Sequence, residues 1–196
     1  MKELYLMRHG ETLFNRLHRI QGASDSPLTA QGIADAKKVG QYLTAHHITF
    51  DHAYSSTQER ASDTLELVTN QPYKRLKGLK EQNFGVFEGE SEVLNPKPKS
   101  DKEFYGDFFV QYGGESDQQV SKRMKATLTK VMEQPGHERV LAVSHAGASY
   151  MFLQNWIPNS EIMGHIHFAN CSLLHFTYAD QQFHFLEVID PLHQSV

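Results

Sequence analysis

Among its 196 residues the chain has one cysteine, Cys171, so it cannot close a disulfide within itself and cannot build a cysteine-based zinc site. It also lacks a basic excess. Nineteen lysines and arginines against 23 aspartates and glutamates give a formal net charge of −4 with histidine neutral, the wrong balance for gripping a nucleic-acid backbone. An anion site on such a chain must be a local cluster of positive groups on a mildly acidic body. No run approaches the roughly 20 apolar residues that span a bilayer. The apolar part of MKELYLMRHGE is too short for a secretory signal. The expectation is a chain in a reducing, cytoplasmic setting, with neither nucleic acid nor membrane as partner.

What is present is ordinary globular material, 39% hydrophobic, 21% charged and 11% aromatic. The length suits one domain over residues 1–196 with a full-sized core. Leu4–Met7 reads as a short buried strand that runs into Arg8-His9-Gly10-Glu11. Asn15 to Ser26 reads as a loop. Thr29 caps a helix from Ala30 whose inward stripe is Ile33, Ala36, Val39 and Leu43. A weak strand at His52–Tyr54 precedes Ser55-Ser56 and a helix from about Gln58 to Thr69, with Ala61, Leu65 and Val68 as its apolar stripe. Tyr73 to Leu79 is a short strand or an extended connection.

Glycines and prolines then break the pattern over about 83–115, and a long irregular stretch of that kind predicts a lid-like insertion. Ser116 with Gln119 is a capping box for a helix carrying Val120, Met124, Leu128 and Val131 inward. Arg139–Ser144 (RVLAVS) is the strongest strand signal and leads into His145-Ala146-Gly147 and another helix. Two strands near 172–178 and 183–189 read as a hairpin. Strands alternating with helices predict a three-layer α/β/α sandwich with a mostly parallel central sheet. Ligands in such sheets lie beyond the carboxyl ends of the strands. His9 and His145 each follow a strand, so both are expected at one rim.

An imidazole can attack phosphorus because one ring nitrogen keeps a lone pair. Arg8 offers a forked guanidinium for phosphate oxygens. A lone Arg-His could equally be an ordinary pair at a strand end, and Arg60, His145 and Glu81 taken singly could be a helix-surface arginine, a core histidine and a surface carboxylate. The wider pattern is more specific. Leu6-Met7-Arg8-His9-Gly10-Glu11-Thr12, Asn15, Gln21-Gly22, Asp25-Ser26-Pro27-Leu28-Thr29 and Gly32 come first. Ser56, Arg60-Ala61, Thr64, Glu81, Phe84-Gly85, Glu88-Gly89, Gly114-Glu115-Ser116 and Val143-Ser144-His145 with Gly147 follow in order.

With these motifs over most of its length, the chain resembles the histidine phosphatase superfamily, the phosphoglycerate mutase-like family. The resemblance implies a phosphoglycerate mutase-like fold and His9 as a nucleophile that becomes phosphorylated. It implies that Arg8, Arg60 and His145 grip phosphoryl oxygens, and that Asn15, Gln21, Gly22 and Gly147 contribute to phosphate binding. Glu81 would be the general acid, protonating the leaving alcohol and then activating water. Ala146, Phe87 and Thr57-Gln58 depart from the family pattern, where glycine, tryptophan and proline-leucine are common. These departures bear on substrate preference rather than on the reaction.

The expected activity is metal-independent hydrolysis of small phosphomonoesters by a monomer or homodimer, without a cofactor. The alternative is a phosphoglycerate mutase using 2,3-bisphosphoglycerate, and a second is a non-catalytic binder of phosphorylated ligands. The stretch from Glu90 to Gly114 holds Lys97, Lys99 and Lys102, then Phe104, Tyr105, Phe108, Phe109 and Tyr112 at helical spacing. An aromatic wall favours the phosphatase reading, although such a stripe could simply pack on the core. Metal is unsupported. His165 and His167 form at most half a site, and the remaining histidines have no readable partner.

Overall fold

The computed structural model describes residues 1–97, 104–162 and 166–193. Its strands are β1 (Lys2–Arg8), β2 (His52–Ser56), β3 (Tyr73–Leu76), β4 (Arg139–Ser144), β5 (Leu173–Ala179) and β6 (Gln182–Ile189), in one sheet of order β3-β2-β4-β1-β5-β6. The pairs β3–β2, β2–β4 and β4–β1 are parallel. The closing hairpin β5–β6 is antiparallel, turns through Asp180 and Gln181 at positive φ, and pairs antiparallel to β1.

The helices are α1 (Leu13–Arg16), α2 (Ala30–Ala45), α3 (Glu59–Val68), α4 (Asp117–Met132), α5 (Ala146–Leu153) and α6 (Asn159–Ile162). Strand side chains alternate between the two faces. Leu4 and Leu6 of β1 pack with Val120, Met124 and Leu128 of α4 and with Met151 and Phe152 of α5. Tyr5 and Met7 pack on the opposite side with Ala36, Val39 and Leu43 of α2 and with Ala61 and Leu65 of α3. Two cores, one per face, make the three-layer sandwich.

The expected caps are in place. Thr29 accepts from Gly32 N, and Ser116 with Gln119 closes the capping box of α4. Three local differences stand out. Ile33, expected inward, is 37% exposed, and Gly32 takes the buried position where the helix crosses Glu11. The stretch expected as loop from Asn15 begins inside α1, a one-turn helix held by a capping box between Thr12 and Asn15. It buries no side chain, so no apolar period announces it. Between 104 and 115 the aromatics sit on turns and a single 3-10 turn, Val110–Tyr112, rather than on an α-helix.

Strands β1 and β4 are neighbours, yet the chain leaves β1 towards the α2 face and leaves β4 into α5 on the other face. That divergence opens a crevice at their carboxyl ends, the usual ligand position in such sheets. Phe152→Ala should lower unfolding free energy by about 3–5 kcal/mol through cavity formation, whereas Ile33→Ala should stay within about 0.5 kcal/mol of wild type. Urea unfolding checks both.

Candidate active site

Arg8 ends β1 in register with Ser144 of β4, and His9 N donates to Ser144 O at 3.1 Å. The rings of His9 and His145 therefore lie across one ladder step, with centroids 5.2 Å apart. His9 is 4% exposed and His145 is fully buried. His9 Nδ1 lies 2.8 Å from Gly10 O. A carbonyl only accepts, so Nδ1 carries the hydrogen and Nε2 keeps its lone pair. Burial first, then the charges of Arg60 and Arg8, hold the His9 imidazole well below the usual histidine range. The ring is neutral, with a free nucleophilic nitrogen.

Arg60 lies in the first turn of α3 and is 1% exposed. Its Nε donates to His145 Nδ1 at 3.1 Å, Nη1 to Ser24 O and Asp25 Oδ1 at 2.9 Å each, and Nη2 to Gly22 O at 3.0 Å. Four of five guanidinium hydrogens are thus committed to the protein, leaving one on Nη2. Because His145 Nδ1 accepts, its hydrogen sits on Nε2, which is buried without a partner. Burial, then Arg60 and His9, keep this ring neutral as well. An unsatisfied buried donor next to the His9 ring is poised for an acceptor.

Glu81 is 7% exposed. Its Oε2 accepts from Gly147 N at 2.9 Å, and Oε1 accepts from Ala148 N at 2.7 Å and Gln82 N at 2.8 Å. The carboxyl thus rests on the amino end of α5, where the helix dipole favours negative charge. A Cβ at Gly147 would stand 2.8 Å from Glu81 Oε1 and would push the carboxyl off its present position.

Arg8, His9, Asn15, Gln21, Glu81 and Gly147 line one cavity of about 290 Å³; Arg60, His145 and Gly22, also expected at the site, are not among its described lining residues. Arg8 Nη1 donates to Phe168 O at 2.9 Å, and its buried Nε has no partner. Asn15 spends its Oδ1 on Thr12 N and on Asn170 Nδ2, which leaves its own amide hydrogens uncommitted. Gln21 orients its amide to donate to Thr12 Oγ1 and Ser26 Oγ, while its oxygen, 2.9 Å from Arg60 Nε, shares with His145 Nδ1 the one hydrogen that Nε carries.

The backbone near Gly22, expected to supply phosphate donors, is already engaged. Gly22 N, Ala23 N and Ser24 N donate to the Glu88 carboxylate at 3.0, 2.7 and 2.9 Å. Glu88 also accepts from Phe84 N. Gln58 adds a brace, donating to Gly22 O while its Oε1 accepts from Glu81 N at 3.0 Å.

Sequence reasoning assigned Asp25, Gln58 and Glu88 no role. It expected an aromatic wall including Phe104 and Tyr105, and both line the cavity, but it missed Arg19, Glu92, Asn95, Tyr150 and Phe168. The aromatics of 83–115 divide. Phe109 is fully buried against Ile20 and Phe84, while Phe104 and Tyr105 face the cavity. Lys97 is exposed, and Lys99 and Lys102 lie outside the described residues. Of the histidine pair considered for metal, His167 lines the cavity and His165 lies outside the described residues. Among the described residues no group of three or more histidine, cysteine, aspartate or glutamate side chains is placed to hold a metal ion. A larger cleft of about 660 Å³, with Asp107, Gln118 and Asn155 among its walls, contains none of the expected site residues.

This sheet order, with two imidazoles, a buried guanidinium and a buried carboxyl gathered at the crevice, defines the phosphoglycerate mutase-like class of α/β folds. Within that class the chain belongs to the histidine phosphatase superfamily (branch 1), whose family model matches residues 4–191. It is 36% identical over 152 residues to a probable phosphoglycerate mutase of Proteus mirabilis, covering 74% of this chain and 70% of the relative. It is 32% identical over 170 residues to a broad-specificity phosphatase of Saccharomyces cerevisiae, covering 83% and 73%. A phosphoserine phosphatase of Entamoeba histolytica, solved with 3-phosphoglyceric acid, superposes with a TM-score of 0.81 at 26% identity over 98% of this chain and 99% of that one. No helix among the described residues is long and apolar enough to cross a membrane.

The two neutral rings make stability depend on pH. Both folded-state values lie below the ordinary 6.5, so the unfolded chain binds more protons as pH falls past that point. Their contribution is fully present above pH 6.5 and is lost as pH falls towards the folded-state values. Urea midpoints should therefore drop on acidification below that pH, and less steeply in His145→Gln.

Proposed function

We propose that the protein is a phosphatase that hydrolyses small phosphomonoesters through a phosphohistidine on His9, without metal or cofactor. The observation that carries this reading is the neutral His9 ring, with Nδ1 tied to Gly10 O and the Nε2 lone pair free, beside the unpartnered His145 Nε2–H. Arg8, the last Nη2 hydrogen of Arg60, His145 Nε2–H and the amide of Asn15 would hold the phosphoryl oxygens. Phosphoryl transfer is mainly positioning plus stabilisation of charge on those oxygens, which such donors supply. Arg60, largely committed to the protein, would act chiefly through its charge and by fixing the His145 tautomer.

In the first step His9 Nε2 bonds to phosphorus, the bond to the alcohol oxygen breaks, and Glu81 gives that oxygen a proton. In the second, water attacks phosphorus, Glu81 takes the proton back, the phosphorus–nitrogen bond breaks and inorganic phosphate leaves. Glu81 Oε1 already accepts two backbone N–H groups and Oε2 only one, so the shuttled proton would ride on Oε2. The chain would work as one domain, with 83–115 as the lid-like wall of its cavity, as a monomer or homodimer in the cytoplasm. Hydrolysis is preferred over mutase action because Phe84, Phe104, Tyr105, Glu92 and Asn95 line the cavity, a lining that suits an apolar or planar body better than a second anionic group.

p-Nitrophenyl phosphate should be hydrolysed, with kcat/KM falling by at least about 10³-fold in His9→Ala. A wild type inert across a panel of phosphate esters would point instead to a binding protein. Activity should survive EDTA, and loss on chelation that added metal restores would defeat the mechanism. Vanadate at millimolar levels should inhibit. Given 3-phosphoglycerate with catalytic 2,3-bisphosphoglycerate, the protein should release free phosphate; formation of 2-phosphoglycerate would establish the mutase.

A further inference from the structure

The cavity lining holds two chemically distinct groups. Arg8, His9 and Glu81 line the same cavity as Glu92 and Asn95. The latter two sit on a well-fixed turn. Glu92 N donates to His18 O at 2.9 Å, Asn95 N donates to Glu92 O at 3.1 Å, and Ser91 pairs with Arg19. Asn95 Oδ1 is buried without a hydrogen-bond partner among the described residues. A buried acceptor left in that state is costly, so it is poised to receive a donor. Glu92 is barely engaged. Its Oε2 lies 3.6 Å from His18 Nδ1, and the two side chains are 46% and 82% exposed. Contacts that exposed contribute little. The negative charge of Glu92 nevertheless reaches Arg8 and Tyr105 inside the cavity.

Phe84, Phe104, Tyr105, Tyr150 and Phe168 line the same cavity. Aromatic faces suit a short carbon stem and attract a cation. Arg19 lines it too, with Nη1 donating to Gly89 O.

Resting on the phosphatase reading above, we infer that Glu92 and Asn95 form an acceptor subsite for the alcohol half of the substrate, and that the preferred phosphomonoesters carry an ammonium group. Phosphate esters of amino alcohols would place the phosphoryl group at His9 and the ammonium between Glu92 and Asn95 Oδ1. An amino acid phosphate would also set its carboxylate near Arg19. A substrate that is anionic at both ends, such as 3-phosphoglycerate, would bring a carboxylate towards Glu92 without an ammonium to offset it.

The test compares kcat/KM within two matched pairs, O-phosphoethanolamine against ethyl phosphate and O-phosphoserine against 3-phosphoglycerate, in wild type, Glu92→Gln and Asn95→Ala. Wild type should favour the amine member of each pair by about tenfold or more, as for a hydrogen bond to a charged group. Glu92→Gln should shrink that ratio by about tenfold and Asn95→Ala by a smaller factor. Because the readout is a ratio within one preparation, a general loss of activity does not mimic the effect. An absent preference, or one that both variants keep, while p-nitrophenyl phosphate is still hydrolysed in a His9-dependent way, overturns the subsite alone. A wild type that hydrolyses none of these esters overturns the phosphatase reading and the subsite with it.

Discussion

A guanidinium buried to 1% exposure is the constraint around which the site is organised. An unpaired charge in that position would be prohibitively costly. The fold meets the cost by folding residues 22–25 back onto Arg60, so that two carbonyls and the Asp25 carboxylate take its hydrogens. That return only holds if the loop itself is rigid, and Glu88 makes it so by accepting three consecutive backbone N–H groups from residues 22 to 24. Gly22 is the tight point. A Cβ there would stand 2.0 Å from Gln82 O and 2.5 Å from the Glu88 carboxylate. The remaining Nε–H of Arg60 then decides which nitrogen of His145 carries a proton. A buried ion pair of this kind is a poor source of net stability and a good source of unique geometry.

The same economy appears at Glu81. Its carboxyl is held from three sides by backbone, and its own N–H is held by Gln58, which also reaches Gly22 O. The loop that clasps Arg60 and the segment that presents Glu81 are therefore tied through one side-chain amide.

Much of the scaffold was legible because it is local or periodic. The alternation Leu4, Leu6 against Tyr5, Met7, the stripes of α3 and α4, and the Thr29 and Ser116 caps follow from spacing alone. The meeting of His9 with His145 was legible too, because two strand ends in a parallel pair put the following residues side by side. What escaped the sequence depends on partners far along the chain. Glu88 with Gly22, Asp25 with Arg60 and Gln58 with Glu81 are separated by 66, 35 and 23 positions and join loops whose course no pattern specifies. Ile33 shows the reverse error. Helical spacing points it inward with Ala36, Val39 and Leu43, but the close passage of Glu11 over Gly32 makes Gly32 the first buried position while the other three stay buried.

The hydrogen bond from His9 Nδ1 goes to the carbonyl of the very next residue. The direction of the reactive lone pair is thereby decided within a dipeptide, with no distant side chain consulted. The walls around the ring can then differ without turning it.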